Sequence, residues 1–478
     1  MTISAVLTMA VLLVVGVRSK STQRFFVASM AVLLAMSMNS ITATAFYIGS
    51  QEINCDDLAL LACSACALAL AIKGIRLSKN LIRLTVFLFL FIGLGVVSCV
   101  VWGDEVSIVT SSQSWDDYYY GVVLPGHVSF GIRTVLILVR MALFCFLLMV
   151  TQSVFRARDY TDVAHAVLAF SLVHVLFASF EFVTKVMFGS TIALTISQSV
   201  FVSFGSTYSS LVTRGDMTMI QGFTREGSHF AYAMFYTVLL CVLLYAKGEL
   251  RIHEAFCLIL SAVMLLVSGA FTSVICALVL IVFFMLAVSH RQRMKMKEHE
   301  LDARIILLLI VVAVSALLAA YYAFDSGTYY VSKFLGVLGN LPQLISGNYS
   351  GTYASVDAMP RLVSMVESMR VFFSYPLFGI GLGTIDPFSG LSGILCTTGA
   401  AGLVSWLALI ARYTSEASGK GSARFAILLF FSLGLLSLGA STMYSPTWIL
   451  LCGLFWVPVK PQSSPKRLDS KFGGAYVP

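Results

Sequence analysis

Residues 82–102 read IRLTVFLFLFIGLGVVSCVVW, and from Leu84 onward the run carries no charge until Asp104. An α-helix needs about 20 apolar residues to cross about 30 Å of hydrocarbon, and this segment supplies them. A barrel strand would show about ten residues alternating apolar and polar, and that alternation is absent. Only helices and closed barrels satisfy their backbone groups in lipid, so the segment reads as a membrane-spanning helix. Similar runs flank it on both sides. They predict spans at 2–17, 25–49, 58–75, 82–102, 132–155, 163–188, 229–246, 255–269, 271–289, 305–324, 393–411, 425–440 and 447–458. The expected fold class is all-α, a polytopic integral membrane protein with about 12–13 transmembrane helices. Of the 478 residues 58% are hydrophobic and only 11% charged, against about 25% charged in soluble domains. Mean hydropathy is +0.90, which excludes a water-soluble fold.

Orientation follows from the basic residues, because cytoplasmic loops retain Lys and Arg. Alternate connections hold Arg18 to Arg24, Lys73 to Arg83, Arg156 and Arg158, Lys247 and Arg251, Arg291 to Arg304, Arg412 to Arg424, and Lys460 to Lys471. These are expected to be cytoplasmic. The opposite connections hold only Arg214, Arg225, Lys333, Arg361 and Arg370. The net charge of +8 is spread through short loops with no basic stripe, so it fits anionic lipid headgroups and excludes nucleic acid as a partner. The first apolar run has its positive charges after it, which is backwards for a signal peptide, and is expected to be a retained span. With no internal repeat, residues 1–459 read as one transmembrane domain and 460–478 as a cytoplasmic polar tail. Cys63 and Cys66 form a CxxC inside an apolar helix, where packing contacts are expected. Arg140 is a candidate to point into a bundle cavity, and Arg133, Glu181 and Lys185 fall near the outer ends of their spans.

Three outside connections are long, at 103–131, 189–228 and 325–392, and long connections in a compact domain tend to be functional. The first carries Trp115, Asp116, Asp117, Tyr118, Tyr119 and Tyr120, which reads as an interfacial aromatic belt ahead of the alternative, a sugar-stacking surface. In the second, residues 214–231 read RGDMTMIQGFTREGSHFA and gather Arg214, Asp216, Arg225, Glu226 and His229 at one membrane face. A cation at a helix N-terminus opposes the macrodipole unless an anion is also present, either Glu226 or a ligand such as phosphate. In the third, Pro360 opens a helix that starts RLVSMVESMRVFF. Arg370 follows Glu367 by three residues, the spacing of a helical ion pair. Pro376 ends this helix, and Gly379, Gly381 and Gly383 then alternate, which lets backbone turn sharply or approach a ligand closely. They do not fit a nucleotide fingerprint, which needs GxGxxG between a strand and a helix.

Arg361, Pro376, then LFGIGLG and the helix TTGAAGLVSWLALI resemble the signature region of the O-antigen ligase and polymerase superfamily. The segment GFTREGSHFA is similar to that family's polymerase pattern, with Gly227 in place of the usual proline. Some polymerases of the family also carry paired R-x10-G motifs in their two large loops; Arg370 and Gly381 have that spacing, but neither Arg214 nor Arg225 does, so the resemblance does not rest on it. The ligase branch carries a histidine in its last large outside loop, yet none follows His299, which favours a Wzy-type polymerase.

The resemblance implies a GT-C-like, metal-independent glycosyltransferase in the bacterial inner membrane, with its active site facing the periplasm and no cofactor. It would polymerise undecaprenyl-pyrophosphate-linked oligosaccharide repeat units into O-antigen or a related surface polysaccharide. Donor and acceptor glycans on that carrier, membrane lipids and a chain-length regulator protein are the implied partners. Charge builds on the pyrophosphate as the anomeric bond breaks, and fixed guanidinium groups suit that task. Arg361 is the first candidate, with Glu226 as general base. Arg214, Arg225, His229, Arg370, Gly379, Gly381 and Gly383 are expected to bind pyrophosphate or glycan. The alternatives are a ligase of the same superfamily and a lipid-linked oligosaccharide flippase, which would place ionisable residues at midplane on discontinuous helices.

Overall fold

The structure is a computed structural model that describes residues 3–39, 44–48, 51–108, 126–201, 213–214, 217–218, 220–224, 227–268, 359–385, 390–418 and 443–454, with isolated positions between 272 and 346. Its helices are α1 Ile3–Arg18, α2 Thr22–Met38, α3 Cys55–Ile72, α4 Lys79–Trp102, α5 Ile132–Val154, α6 Ala157–Phe182, α7 Ile192–Phe201, α8 Gly227–Lys247, α9 Ile252–Val267, α10 Met359–Ser374, α11 Gly390–Ser418 and α12 Thr447–Gly453. A π-helical turn, Val183–Met187, extends α6. Among the described residues, six helices are long and apolar enough to cross a membrane: Cys55–Ile72, Lys79–Trp102, Ile132–Val154, Ala157–Lys185, Gly227–Lys247 and Gly390–Glu416. α1, α2 and α9 are shorter apolar helices. The chain is thus an all-α bundle with the helices of a polytopic membrane protein.

Several helices start on an acidic residue placed to accept the free amide at the helix entrance. Asp57 accepts from Asn54 N at 3.0 Å, Asp159 from Arg156 N at 2.7 Å, and Glu254 from Arg251 N at 2.8 Å. Glu254 also meets His165 in a buried hydrogen bond that joins α6 to α9. α8 is apolar all round and buried along nearly its whole length, so it is the central helix. α4 instead exposes Val86, Leu90, Leu94, Val97 and Val101 along one stripe. An uninterrupted apolar stripe of this kind has lipid as its natural surroundings.

Helices α2 to α6 alternate in direction, and among the described residues hydrogen bonds tie the basic connections into one end of the bundle. Lys73 Nζ donates to Thr22 Oγ1 at 2.7 Å, Gln23 Nε2 to Val154 O at 3.4 Å, and Ser153 Oγ to Arg76 O at 3.0 Å. Ser78 bonds Glu416 at 3.3 Å and Thr161 bonds Glu249 at 2.8 Å. The opposite end holds the C-termini of α2, α4 and α6 and the N-termini of α3, α5, α8 and α11.

Two expectations need correction. The apolar run 25–49 is not one span: α2 stops at Met38, and Thr44–Ile48 (β1) is a strand paired antiparallel with Gln51–Asn54 (β2). Its sequence, TAFYI, is β-branched and aromatic, and such residues favour a pleated conformation over a helix. Arg140, the candidate for a bundle cavity, forms a two-pronged ion pair with Asp57, Nε to Oδ1 at 2.7 Å and Nη2 to Oδ2 at 2.5 Å, which ties α5 to the head of α3. Second, the helix in the short last span expected at 447–458 is α12, whose seven residues end at Gly453. The ten cysteines, Cys63 and Cys66 included, are buried. The predicted spans 305–324 and 425–440, most of 271–289, the aromatic stretch 115–120 and the tail 460–478 lie outside the described residues.

Candidate functional site

The helix expected from Pro360 is α10, and its Glu367–Arg370 pair forms at 2.7 Å with the arginine half exposed. Ser364, Glu367, Ser368 and Val371 make the buried face, while Met365 and Phe373 are exposed. After Tyr375 the chain re-enters the bundle. Gly379, Gly381 and Gly383 have φ of 66°, 95° and 86°, the left-handed region that only glycine enters freely. A Cβ at Gly379 would lie 2.4 Å from Cys396 O, and one at Gly383 3.1 Å from Thr134 Cα. The space beside these glycines is therefore filled by α11 and α5. Thr134 Oγ1 donates to Gly383 O at 3.3 Å.

The same segment splices a break in α11. Gly399 leaves the helical conformation at φ 65°, ψ −175°, so the helix cannot pair its own groups there. Ile380 N donates to Cys396 O at 3.0 Å and Gly381 N to Thr397 O at 2.9 Å; Ala400 N donates to Pro376 O at 2.9 Å and Ala401 N to Leu377 O at 3.1 Å. The four groups that an unbroken helix would bond to one another are bonded to residues 376–381 instead. Unpaired, each would cost several kcal/mol in an apolar medium, so non-helical backbone is tolerated here because protein encloses it.

The second constellation lies ahead of α8. Residues 221–224, QGFT, form a buried turn closed by Thr224 N to Gln221 O at 3.0 Å. The carboxylate of Glu181, near the end of α6, accepts from Gln221 N at 3.2 Å and Gly222 N at 2.7 Å, with Lys185 Nζ 3.8 Å away. About two turns earlier on the same face of α6, His174 Nε2 accepts from Phe223 N at 3.0 Å. That acceptor role puts the imidazole proton on Nδ1, which donates to Asn39 Oδ1 at 3.0 Å. Asn39 in turn donates to Ser171 Oγ at 3.1 Å and Ala35 O at 2.8 Å. The His174 ring stacks on Phe223 with centroids 4.9 Å apart and meets Phe230 of α8 edge-on. Ser197 Oγ of α7 donates to Gly222 O at 2.6 Å, and Ile220 N to Ser268 O at 3.2 Å.

Both constellations sit at the end of the bundle away from the basic connections. The turn is held by the C-terminal half of α6, and Gly383 by the first turn of α5, whereas Arg156 lies between the other ends of those two helices. His229 stands half-buried in the first turn of α8, and Arg214 lies on the strand Thr213–Arg214, paired with Met217–Thr218. The backbone at Arg361 is in the first turn of α10. Arg225, Glu226 and Asp216 lie outside the described residues, as do the side chains of Arg214 and Arg361. Sequence reasoning missed His174 and Asn39, and took Glu181 and Lys185 as transport candidates. The legible signal was that Ser171, His174, Ala178 and Glu181 recur at helical spacing and so share one face of α6.

A helical membrane bundle with two spliced polar segments at one end is the class that fold and site define. No family model matches the chain, and no curated protein and no solved structure matches it.

Proposed function

We propose that the chain is a GT-C-type glycosyltransferase of the bacterial inner membrane that joins undecaprenyl-pyrophosphate-linked repeat units at the periplasmic face, building O-antigen or a related surface polysaccharide. The observation that carries this reading is the convergence of the two motif segments. The turn leading into Arg225 and Glu226, and the re-entrant stretch following Arg361, pack at the same end of the bundle. In this reading the positive-inside rule makes that end periplasmic.

The reaction asks little of the protein beyond positioning and charge. An acceptor hydroxyl on one lipid-linked repeat attacks the anomeric carbon of the donor glycan, and Glu226 takes the hydroxyl proton. The anomeric carbon–oxygen bond breaks with its electron pair going to the pyrophosphate. Arg361, with Arg225 and Arg214, meets that charge through bidentate hydrogen bonds. The glycines that resemble the family's signature act here by letting the re-entrant segment approach α4, α5 and α11 closely. No histidine follows His299, which argues against the ligase branch. A flippase would draw on the break in α11, but the groups at that break are bonded to residues 376–381. Purified protein in lipid, given a lipid-linked repeat unit, should yield a ladder of longer glycans on the carrier. Transfer to a lipid A core acceptor with no ladder would replace this reading by the ligase.

A further inference from the structure

We propose that residues 373–378, which fall in an outside loop by hydropathy, lie in the bilayer, with Phe373 and Leu377 against the acyl chains of the leaflet at this end of the bundle. α4 supplies the measure of depth. It has 24 residues, long enough to cross the hydrocarbon, and Trp102 is its last residue. Tyr375 meets Trp102 with ring centroids 6.2 Å apart, and Phe378 stacks on Phe91 at 5.9 Å. A Cβ on Gly95 would lie 2.5 Å from Phe378 O. Gly95 is seven residues inside Trp102, so the chain descends about 10 Å along α4 between Tyr375 and Phe378. α10 is pinned at the upper level, where Val371 packs in one cluster with Cys99, Val106 and Ile108.

The side chains along this descent follow the polarity of a bilayer. Arg370 is 54% exposed at the water side. Trp102 and Tyr375 make an aromatic pair of the kind found at headgroup level. Phe373 and Leu377 are 72% and 62% exposed, and α4 opens Val97 and Val101 over the same depth. Large apolar groups clustered on a surface need an apolar partner, and at this depth lipid supplies it. Irregular backbone survives in hydrocarbon only when its polar groups are bonded within the protein. Pro376 has no amide hydrogen, Gly379 N donates to Tyr375 O at 3.1 Å, and the carbonyls of Pro376 and Leu377 accept from Ala400 N and Ala401 N. What Pro376 and Leu377 present to their surroundings is therefore mainly hydrocarbon.

The test uses full-length protein in lipid vesicles, and none of its readouts needs turnover. Leu377→Cys, Val97→Cys and Glu105→Cys are spin-labelled one at a time, which the burial of the ten natural cysteines allows. Collision of each label with oxygen, which concentrates in lipid, is compared with collision with a water-soluble nickel chelate. The oxygen-to-nickel ratio at Leu377 should match that at lipid-facing Val97 and exceed that at Glu105, which is exposed just beyond the end of α4. A label at Leu377 that favours nickel would place the segment in water and overturn the proposal. Shielding from both reagents would mean that protein, such as a second copy of the chain, covers this face, and would overturn it as well. The wild-type protein gives a reading that no misfolded variant can disturb. In vesicles holding a phospholipid with a mid-chain diazirine, illumination should attach lipid to peptides covering 372–378 as it does to those covering 86–101. Attachment to the α4 peptides alone would overturn the proposal.

Discussion

At Gly222 the backbone conformation and the neighbouring imidazole together leave no room for a side chain. The residue sits at φ +57° with His174 Nε2 2.5 Å from the ideal Cβ position. Gly222→Ala should therefore destabilise the protein by about 1–3 kcal/mol, the usual cost of overpacking a filled site. Thermal unfolding in detergent, with wild type alongside, measures it, and an unchanged midpoint would mean that the turn is looser than described. Under the proposed function, Arg361→Ala should leave the chain folded and inserted while cutting elongation by roughly 100- to 1,000-fold, because that proposal gives the residue the leaving-group charge. Arg361→Lys should recover little, since an ammonium lacks the planar fork. Near-normal elongation by the alanine variant would remove Arg361 from the mechanism. Residues of this kind are legible in sequence because charges in apolar chains are costly and stand out. His174 is not: one histidine in an apolar run looks like packing, and its work depends on a partner 49 residues away.

Among the elements, α11 shows what hydropathy reads and what it misses. The apolar run from Gly390 onward is plainly a helix, yet TTGAAG gives no sign that the ladder is broken in its middle, since small residues also suit helices. The break becomes visible only when residues 376–381 arrive to take the freed groups. Gly399 is the point of failure: a Cβ there would meet Leu377 O at 2.2 Å, on backbone that cannot give way. Gly399→Ala should cost more than about 3 kcal/mol or abolish folding. Gly93→Ala on α4, where a Cβ meets nothing within 4 Å, is the matched control and should be neutral or slightly stabilising. Equal loss in both variants would point to glycine's general role in lipid rather than to the splice. The hairpin after α2 failed in sequence for a related reason. Hydropathy sums over a window, and the run 25–49 stays apolar through the change from helix to strand.

For the whole molecule, the decisive question is which face carries the two polar constellations and what passes between them. Reporter fusions after Met296 and after Asp325 should show a cytoplasmic and a periplasmic reporter, because residues 291–304 carry five basic residues and the longer 325–392 only three. An active periplasmic reporter at Met296 would invert the topology and with it the site. Given that orientation, the three rival activities differ in what a cell lacking the protein accumulates. A polymerase acts after the repeat has been flipped and before long chains exist. Its loss should leave lipopolysaccharide with a single repeat on the core, since flipping and ligation still run. Loss of a ligase would leave the core bare and long chains on the carrier lipid, and loss of a flippase would leave the core bare with single units trapped on the cytoplasmic face. If the glycan is a capsule or secreted polymer, the polymerase reading predicts monomeric repeat on the carrier at the periplasmic face. Gel separation of surface glycan with extraction of the carrier lipid resolves all of these. A bare core with polymer on the carrier would transfer the assignment to the ligase branch despite the absence of histidine after His299.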